Sequence, residues 1–214
     1  MNNPGPKQPG FFCAATGCSG GGRFGVLGSG KGSNFRALAE SFKQGLLGAQ
    51  PVIVLSDVEG AGILTLAEEF GIPHRYVAPG SFRTRMSPEA EEGMVRLLRE
   101  AGVDFIVLAG FMRVIKEPLL RAFPGRILNI HPSLLPAFRG LEAWRQALEA
   151  GVPEAGCTVH LVDSGVDTGE ILGQSRVSVL PGDTADSLHA RIQVAEHDLY
   201  PRICLLYTSP SPRD

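Results

Sequence analysis

From Phe24 onward, short apolar runs alternate with stretches of helical spacing. Residues 24–27 read as a strand and 28–34 as a glycine-rich turn. Residues 35–47 read as a helix with Phe35, Leu38, Phe42 and Leu46 on one face. The same alternation predicts strands at 51–55, 74–77, 105–108 and 126–130. It predicts helices at 61–70, 88–101, 117–123 and 141–150, the last closed by Gly151. Strands at 157–162 and 170–179 follow, and Thr184 is placed to cap a helix running to about Arg202. Pro132 and Pro136 make 131–140 a loop. Strands regularly interleaved with helices predict an α/β fold with a mostly parallel sheet.

Both ends differ from this pattern. Residues 1–22 hold six Gly and three Pro, which favours a flexible leader. Two Ser-Pro pairs near the end oppose a helix there, so 205–214 is expected to be an unrelated Ser/Pro tail. No apolar run approaches the ~18 residues of a membrane span, and the N-terminus lacks the apolar centre of a signal peptide.

Composition narrows the partners. The 214 residues carry 20 Lys and Arg against 22 Asp and Glu, a net charge of −2, which gives no general reason to bind nucleic acid or an acidic membrane. Cys13, Cys18, Cys157 and Cys204 match neither a zinc spacing nor a disulfide framework, so a reducing, cytoplasmic setting is expected. His74, His189 and His197 form no ligand pattern, and no metal is expected.

Three segments carry candidate chemistry. In the first, Gly28, Gly30, Lys31, Gly32, Ser33 and Asn34 link the first strand to its helix, where converging N–H groups and the helix dipole suit a phosphate. Residues 25–31 fit a P-loop up to Lys31, but Gly32 replaces the magnesium-binding Ser or Thr. A dinucleotide fingerprint fails at Ser33. A monophosphate site fits better, and an ordinary tight turn is the alternative. In the second, Asn129 and His131 sit two apart where a strand leaves the sheet, so both can donate to one developing oxyanion. Singly, they also fit a turn cap and a satisfied loop histidine. In the third, Asp167 lies in a Gly-flanked turn, where its carboxylate can hold a nearby imidazole protonated or simply serve the turn. His160 alternates with Cys157, Val159 and Leu161, a pattern that favours a core histidine over a partner of the site.

With these residues the chain resembles the phosphoribosylglycinamide formyltransferases, folate-dependent enzymes of purine synthesis. The resemblance rests on residues 28–34, 108–113 and 129–136, on the spacing from His131 to Asp167, and on Glu196-His197. It spans about 24–204 and implies a Rossmann-like, mostly parallel sheet with helices on both faces, the formyltransferase fold. It also implies transfer of a formyl group from 10-formyltetrahydrofolate, the co-substrate, to the glycyl amine of phosphoribosylglycinamide. Asn129 and protonated His131 would stabilise the tetrahedral oxyanion, and Asp167 would keep His131 charged. Gly32, Ser33 and Asn34 would hold the substrate phosphate, with Glu196 at the ribose or amine end. Arg85, Met112, Arg113, Val114 and Ile115 would line the folate site together with Asn129, and the turn 163–167 would read the pteridine. Each role has a plainer competitor: a solvated charge for Arg85, core for Met112, Val114 and Ile115, an exposed helix position for Glu196, a salt bridge for Arg113. The family continues past the last helix, so the end of this chain is expected to be a truncation. Small-molecule substrates and a monomer or homodimer are implied. The rival readings are a formyltetrahydrofolate hydrolase, another folate formyltransferase such as the methionyl-tRNA enzyme, and a non-catalytic nucleotide-binding module.

Overall fold

The computed structural model describes residues 22–208; residues 1–21 of the expected leader and residues 209–214 of the expected tail lie outside the described residues. The elements run β1 (Arg23–Leu27), α1 (Ser33–Lys43), β2 (Gln50–Ser56), α2 (Gly62–Glu69), β3 (His74–Tyr76), α3 (Pro88–Glu100) and β4 (Phe105–Leu108). They continue with α4 (Glu117–Ala122), β5 (Ile127–His131), α5 (Ala143–Glu149), β6 (Glu154–Leu161), β7 (Ile171–Ser178) and α6 (Ala185–Thr208). The strands form one sheet in the order β3-β2-β1-β4-β5-β6-β7. The first five are parallel, and β6 runs antiparallel to both β5 and β7.

Strand alternation divides the core into two layers. Val26, Val54, Val107, Leu128 and Val159 face one way, against Phe35 and Leu38 of α1, Ile63 and Leu66 of α2, Ala147 of α5 and Leu188, Ile192 and Tyr200 of α6. Leu27, Leu55, Ile106 and Ile127 face the other way, against Met94 and Leu98 of α3 and Leu119 of α4. Helices therefore cover both faces. Helices α5 and α6, which pack on β6, lie on the first face. On the second face, Asn129 and His131 continue the row begun by Ile127, and His160 pairs directly with Asn129. That polar part of the sheet is where the site forms.

Local capping explains several boundaries. Ser87 accepts from Ala90 N at 3.2 Å ahead of Pro88 at the start of α3. Thr184 and Ser187 cap α6 reciprocally: Ser187 N donates to Thr184 Oγ1 at 3.2 Å and Thr184 N to Ser187 Oγ at 2.9 Å. Buried Glu91 of α3 accepts from Lys116 N at 3.0 Å, so one helix caps the entrance of another. Burial, the largest influence, pushes its carboxyl up.

Four expectations are corrected. Helix α1 starts at Ser33, because Gly32 takes a left-handed φ of 80° and brings Ser33 and Asn34 into the first turn. It ends at Lys43, leaving Leu46 63% exposed. Helix α5 is shorter than 141–150 because Glu142 sits at φ 52°, outside helical geometry. Strand β6 begins at Glu154 instead of Cys157. Helix α6 continues through Pro201 to Thr208 instead of ending near Arg202. Tyr207 accordingly packs 5.7 Å from Phe105, ring to ring, and donates to Gly125 O at 2.6 Å.

Tyr200 is fully buried, and its hydroxyl lies 3.0 Å from both Leu108 O and Leu128 O, tying α6 to two adjacent strands. One proton shared between two carbonyls should make Tyr200→Phe cost only about 1–2 kcal/mol, measured by urea denaturation. A loss within error would show that the hydroxyl contributes nothing net.

Candidate active site

The catalytic candidates meet on the polar row of β5 and β6. Buried His131 donates from Nε2 to Phe138 O at 2.9 Å, since a carbonyl can only accept. Its Nδ1 lies 3.4 Å from Asp167 Oδ2. Both ring nitrogens thus face acceptors, an arrangement that suits the charged imidazolium. Asp167 also accepts from Gly140 N at 2.9 Å and lies 3.6 Å from His160 Nε2. Burial pushes the Asp167 carboxyl up, but the His160 ring, the Gly140 N–H and the charge of His131 outweigh it and hold it below its ordinary value.

His160 is a correction. It is buried, as its alternation predicted, yet it is bonded into the site and not merely packed. Its Nδ1 donates to Leu161 O at 2.8 Å, and its Nε2 lies 3.2 Å from Asn129 Nδ2 and 3.6 Å from Asp167 Oδ1. The antiparallel turn of β6 produces this pairing by setting His160 opposite Asn129. Alternation reports burial but not whether the buried face is polar.

The glycine loop follows the C-terminal end of β1, on the same edge of the sheet, with β4 between it and β5. Gly32 cannot carry a side chain here: a Cβ would stand 2.9 Å from Ile63 Cγ1, and φ is already 80°. Helix α1 has no side-chain cap, so the N–H groups of its first turn are available to an anion. Asn34 is buried and donates from Nδ2 to Glu196 Oε2 at 2.8 Å, while its Oδ1 is buried without a partner. Glu196 is thus not an exposed helix residue. Burial pushes its carboxyl up to about 7, against a smaller lowering by Asn34.

The raised Glu196 value carries a sign. The folded chain keeps this proton to about pH 7, whereas the unfolded chain releases it near the usual carboxylate value. Stability attributable to this group therefore falls as pH rises between those values. Glu196→Gln, which cannot ionise, should gain on the parent over that window, by up to on the order of 3 kcal/mol above pH 7. Melting temperatures of both proteins at pH 5 and pH 8 check this; a gap independent of pH would refute it.

The expected folate segment divides. Met112 is exposed and Val114 half-buried, and Val114 N donates to Thr84 O at 2.9 Å. The Arg85 guanidinium lies 3.9 Å from the centre of the Phe82 ring. Ile115 is corrected: its side chain is buried in the layer beneath α3 and α4, so only its main chain is left to line a site. Arg113 turns inward. Its Nε pairs with Asp57 Oδ2 at 2.6 Å and its Nη1 donates to the carbonyls of Phe82, Arg83 and Arg85 at 2.7, 3.1 and 3.2 Å. No motif in the sequence marks Asp57, although its place just after β2 puts it at the ligand-binding edge of the sheet. Trp144 stacks on His189 at 3.7 Å between centres, linking α5 to α6. Among the described residues, no cluster of His, Cys, Asp or Glu is placed to hold a metal ion.

Comparison with known proteins agrees with this geometry. The formyl transferase family model matches residues 22–204. Over 193 residues the chain is 47% identical to the trifunctional purine biosynthetic protein adenosine-3 of Drosophila pseudoobscura pseudoobscura, covering 89% of this chain and only 14% of that protein. It is 41% identical over 181 residues to the phosphoribosylglycinamide formyltransferase of Bacillus subtilis, covering 85% of this chain and 92% of that protein. The crystal structure of glycinamide ribonucleotide transformylase 1 from Symbiobacterium toebii superposes with a TM-score of 0.83 at 45% identity, covering 87% of each chain. The chain belongs to the formyl transferase family, and within it to the phosphoribosylglycinamide formyltransferases.

Proposed function

We propose that this chain transfers the formyl group of 10-formyltetrahydrofolate to the glycyl amine of 5′-phosphoribosylglycinamide, a step of purine synthesis. The observation that carries the reading is the joining of Asn129, His131, Asp167 and His160 on the same sheet edge as an uncapped glycine loop. The amine nitrogen forms a bond to the formyl carbon while the carbon–nitrogen bond to the folate breaks, and the amine proton passes to the departing folate nitrogen. Asn129 Nδ2 and the His131 imidazolium donate to the formyl oxygen as it gains charge. His160 holds the Asn129 amide, and Asp167 holds His131 charged and oriented. Since His131 Nε2 already donates to Phe138 O, the substrate oxygen takes the place of that carbonyl, and the loop around Phe138, itself at φ 53°, gives way.

Gly32, Ser33 and Asn34 hold the substrate phosphate, with Glu196 beside Asn34. Met112, Val114 and the Arg85 side chain line the folate side, with main-chain groups of Arg113 and Ile115. The near-balanced charge supports small-molecule substrates and the cysteine pattern a cytoplasmic setting, and the chain acts as a monomer or homodimer in this reading. No helix among the described residues is long and apolar enough to cross a membrane.

The test is release of tetrahydrofolate from 10-formyltetrahydrofolate with and without the ribonucleotide amine. Release only with the amine establishes transfer. Release without it favours a hydrolase built on the same Asn129, His131 and Asp167. Tight ATP binding without any release favours a nucleotide-binding module.

A further inference from the structure

One buried charge joins the two loops that the proposed function assigns to different substrates. The Asp57 side chain is 3% exposed. Its Oδ1 accepts from Ser29 Oγ at 2.5 Å, and Ser29 belongs to the glycine loop. Its Oδ2 pairs with Arg113 Nε at 2.6 Å. Ser29 Oγ in turn accepts from Met112 N at 2.9 Å, and Ser29 N donates to Gly110 O at 3.1 Å. Arg113 then gathers the carbonyls of Phe82, Arg83 and Arg85, which sets the backbone that carries the Arg85 side chain. Asp57 makes no contact with His131, Asn129 or Asp167 in this network.

We propose that Asp57 is a positioning residue for both substrates: its two carboxylate oxygens clamp the nucleotide loop through Ser29 and the folate loops through Arg113, so one buried charge sets the distance between the two subsites. The physical basis is that charge-assisted hydrogen bonds out of water are short, directional and costly to leave half-made. A neutral partner at 57 would still fill the space but would bind Arg113 without the countercharge, and both loops would loosen together. The inference rests on the assignment of the two subsites above.

The experiment measures steady-state transfer and, separately, calorimetric binding of the ribonucleotide and of tetrahydrofolate by the full chain. D57N is expected to raise KM and Kd for both ligands by about tenfold or more, with kcat reduced less than about threefold. S29A, a milder change should D57N fail to fold, is expected to raise both values severalfold. In the D57N background S29A should add little, because the bond it removes is already weakened. A thermal melt separates this from a general loss of structure: a purely structural role lowers the melting temperature and leaves KM and Kd unchanged at temperatures where the chain is folded. Unchanged KM and Kd in folded D57N and S29A would overturn the inference, as would a rise for one ligand alone. Failure of the unsubstituted chain to bind either ligand would instead overturn the functional reading, and the inference with it.

Discussion

Replacing His131 by alanine is expected to lower turnover by on the order of 10²-fold or more, while the KM values change less than about tenfold. The reason lies in the timing of the interaction. A donor aimed at an oxygen that becomes charged only during reaction contributes little to ground-state binding and much to the barrier. The substitution also empties a buried position beside Asp167, whose carboxylate keeps the Gly140 N–H and the His160 ring as neighbours. Some loss of melting temperature should accompany the loss of rate, so the rate is to be read where the variant is shown folded. Stopped-flow release of tetrahydrofolate from enzyme saturated with both substrates checks the prediction. Turnover within about threefold of the parent would remove His131 from the mechanism.

Asp167→Asn is the second large effect, expected at about 10- to 100-fold in turnover. Asparagine suits this test because Asp167 sits at φ 52°, a conformation asparagine tolerates and alanine does not. The backbone should hold while the charge disappears. Without that charge the His131 ring loses its counter-ion, so the alkaline limb of the pH–rate profile should move to lower pH. The sign for stability runs the other way along the pH axis. The Asp167 carboxyl is held below its ordinary value, so its contribution is full above the unfolded-state value of about 4 and fades as pH falls through the lower folded value. The stability gap between parent and variant should therefore close in acid. An unmoved alkaline limb would show that Asp167 orients the Gly140 loop without governing the charge on His131.

Much of this architecture was legible in the chain because its central strands are buried on both faces and read as plain apolar runs, as at 105–108. Two of the helices that the sequence misplaced, α1 and α5, have starts that depend on left-handed residues, whereas α6 simply runs on past Pro201. Gly32 and Glu142 decide where α1 and α5 begin, and nothing in local hydrophobic spacing reports their φ. Asn129, His131 and Asp167 were readable as candidates by type and position, and His131 and Asp167 do lie together. His160 was not, because a period of two marks a buried face whether that face is oil or a hydrogen-bond network. Asp57 and Tyr200 escaped for a different reason: their partners lie 56, 92 and 72 positions away in sequence, at Arg113, Leu108 and Leu128. Glu196 lay between the two cases. Its place in the last helix was plain, but its burial followed only once Asn34 was found inside α1.

The sheet's parallel half also settles how the molecule can be handled. The connections into β2, β3, β4 and β5 all arrive at the edge opposite the glycine loop, and none of the proposed site residues sits on them. One of these, the exposed stretch from Phe42 to Leu46, turns at Gly45 with open space around it. A bead, electrode or fluorescent reporter tethered at Gln44 would hold the protein by its rear, with the ligand entrance facing the solution.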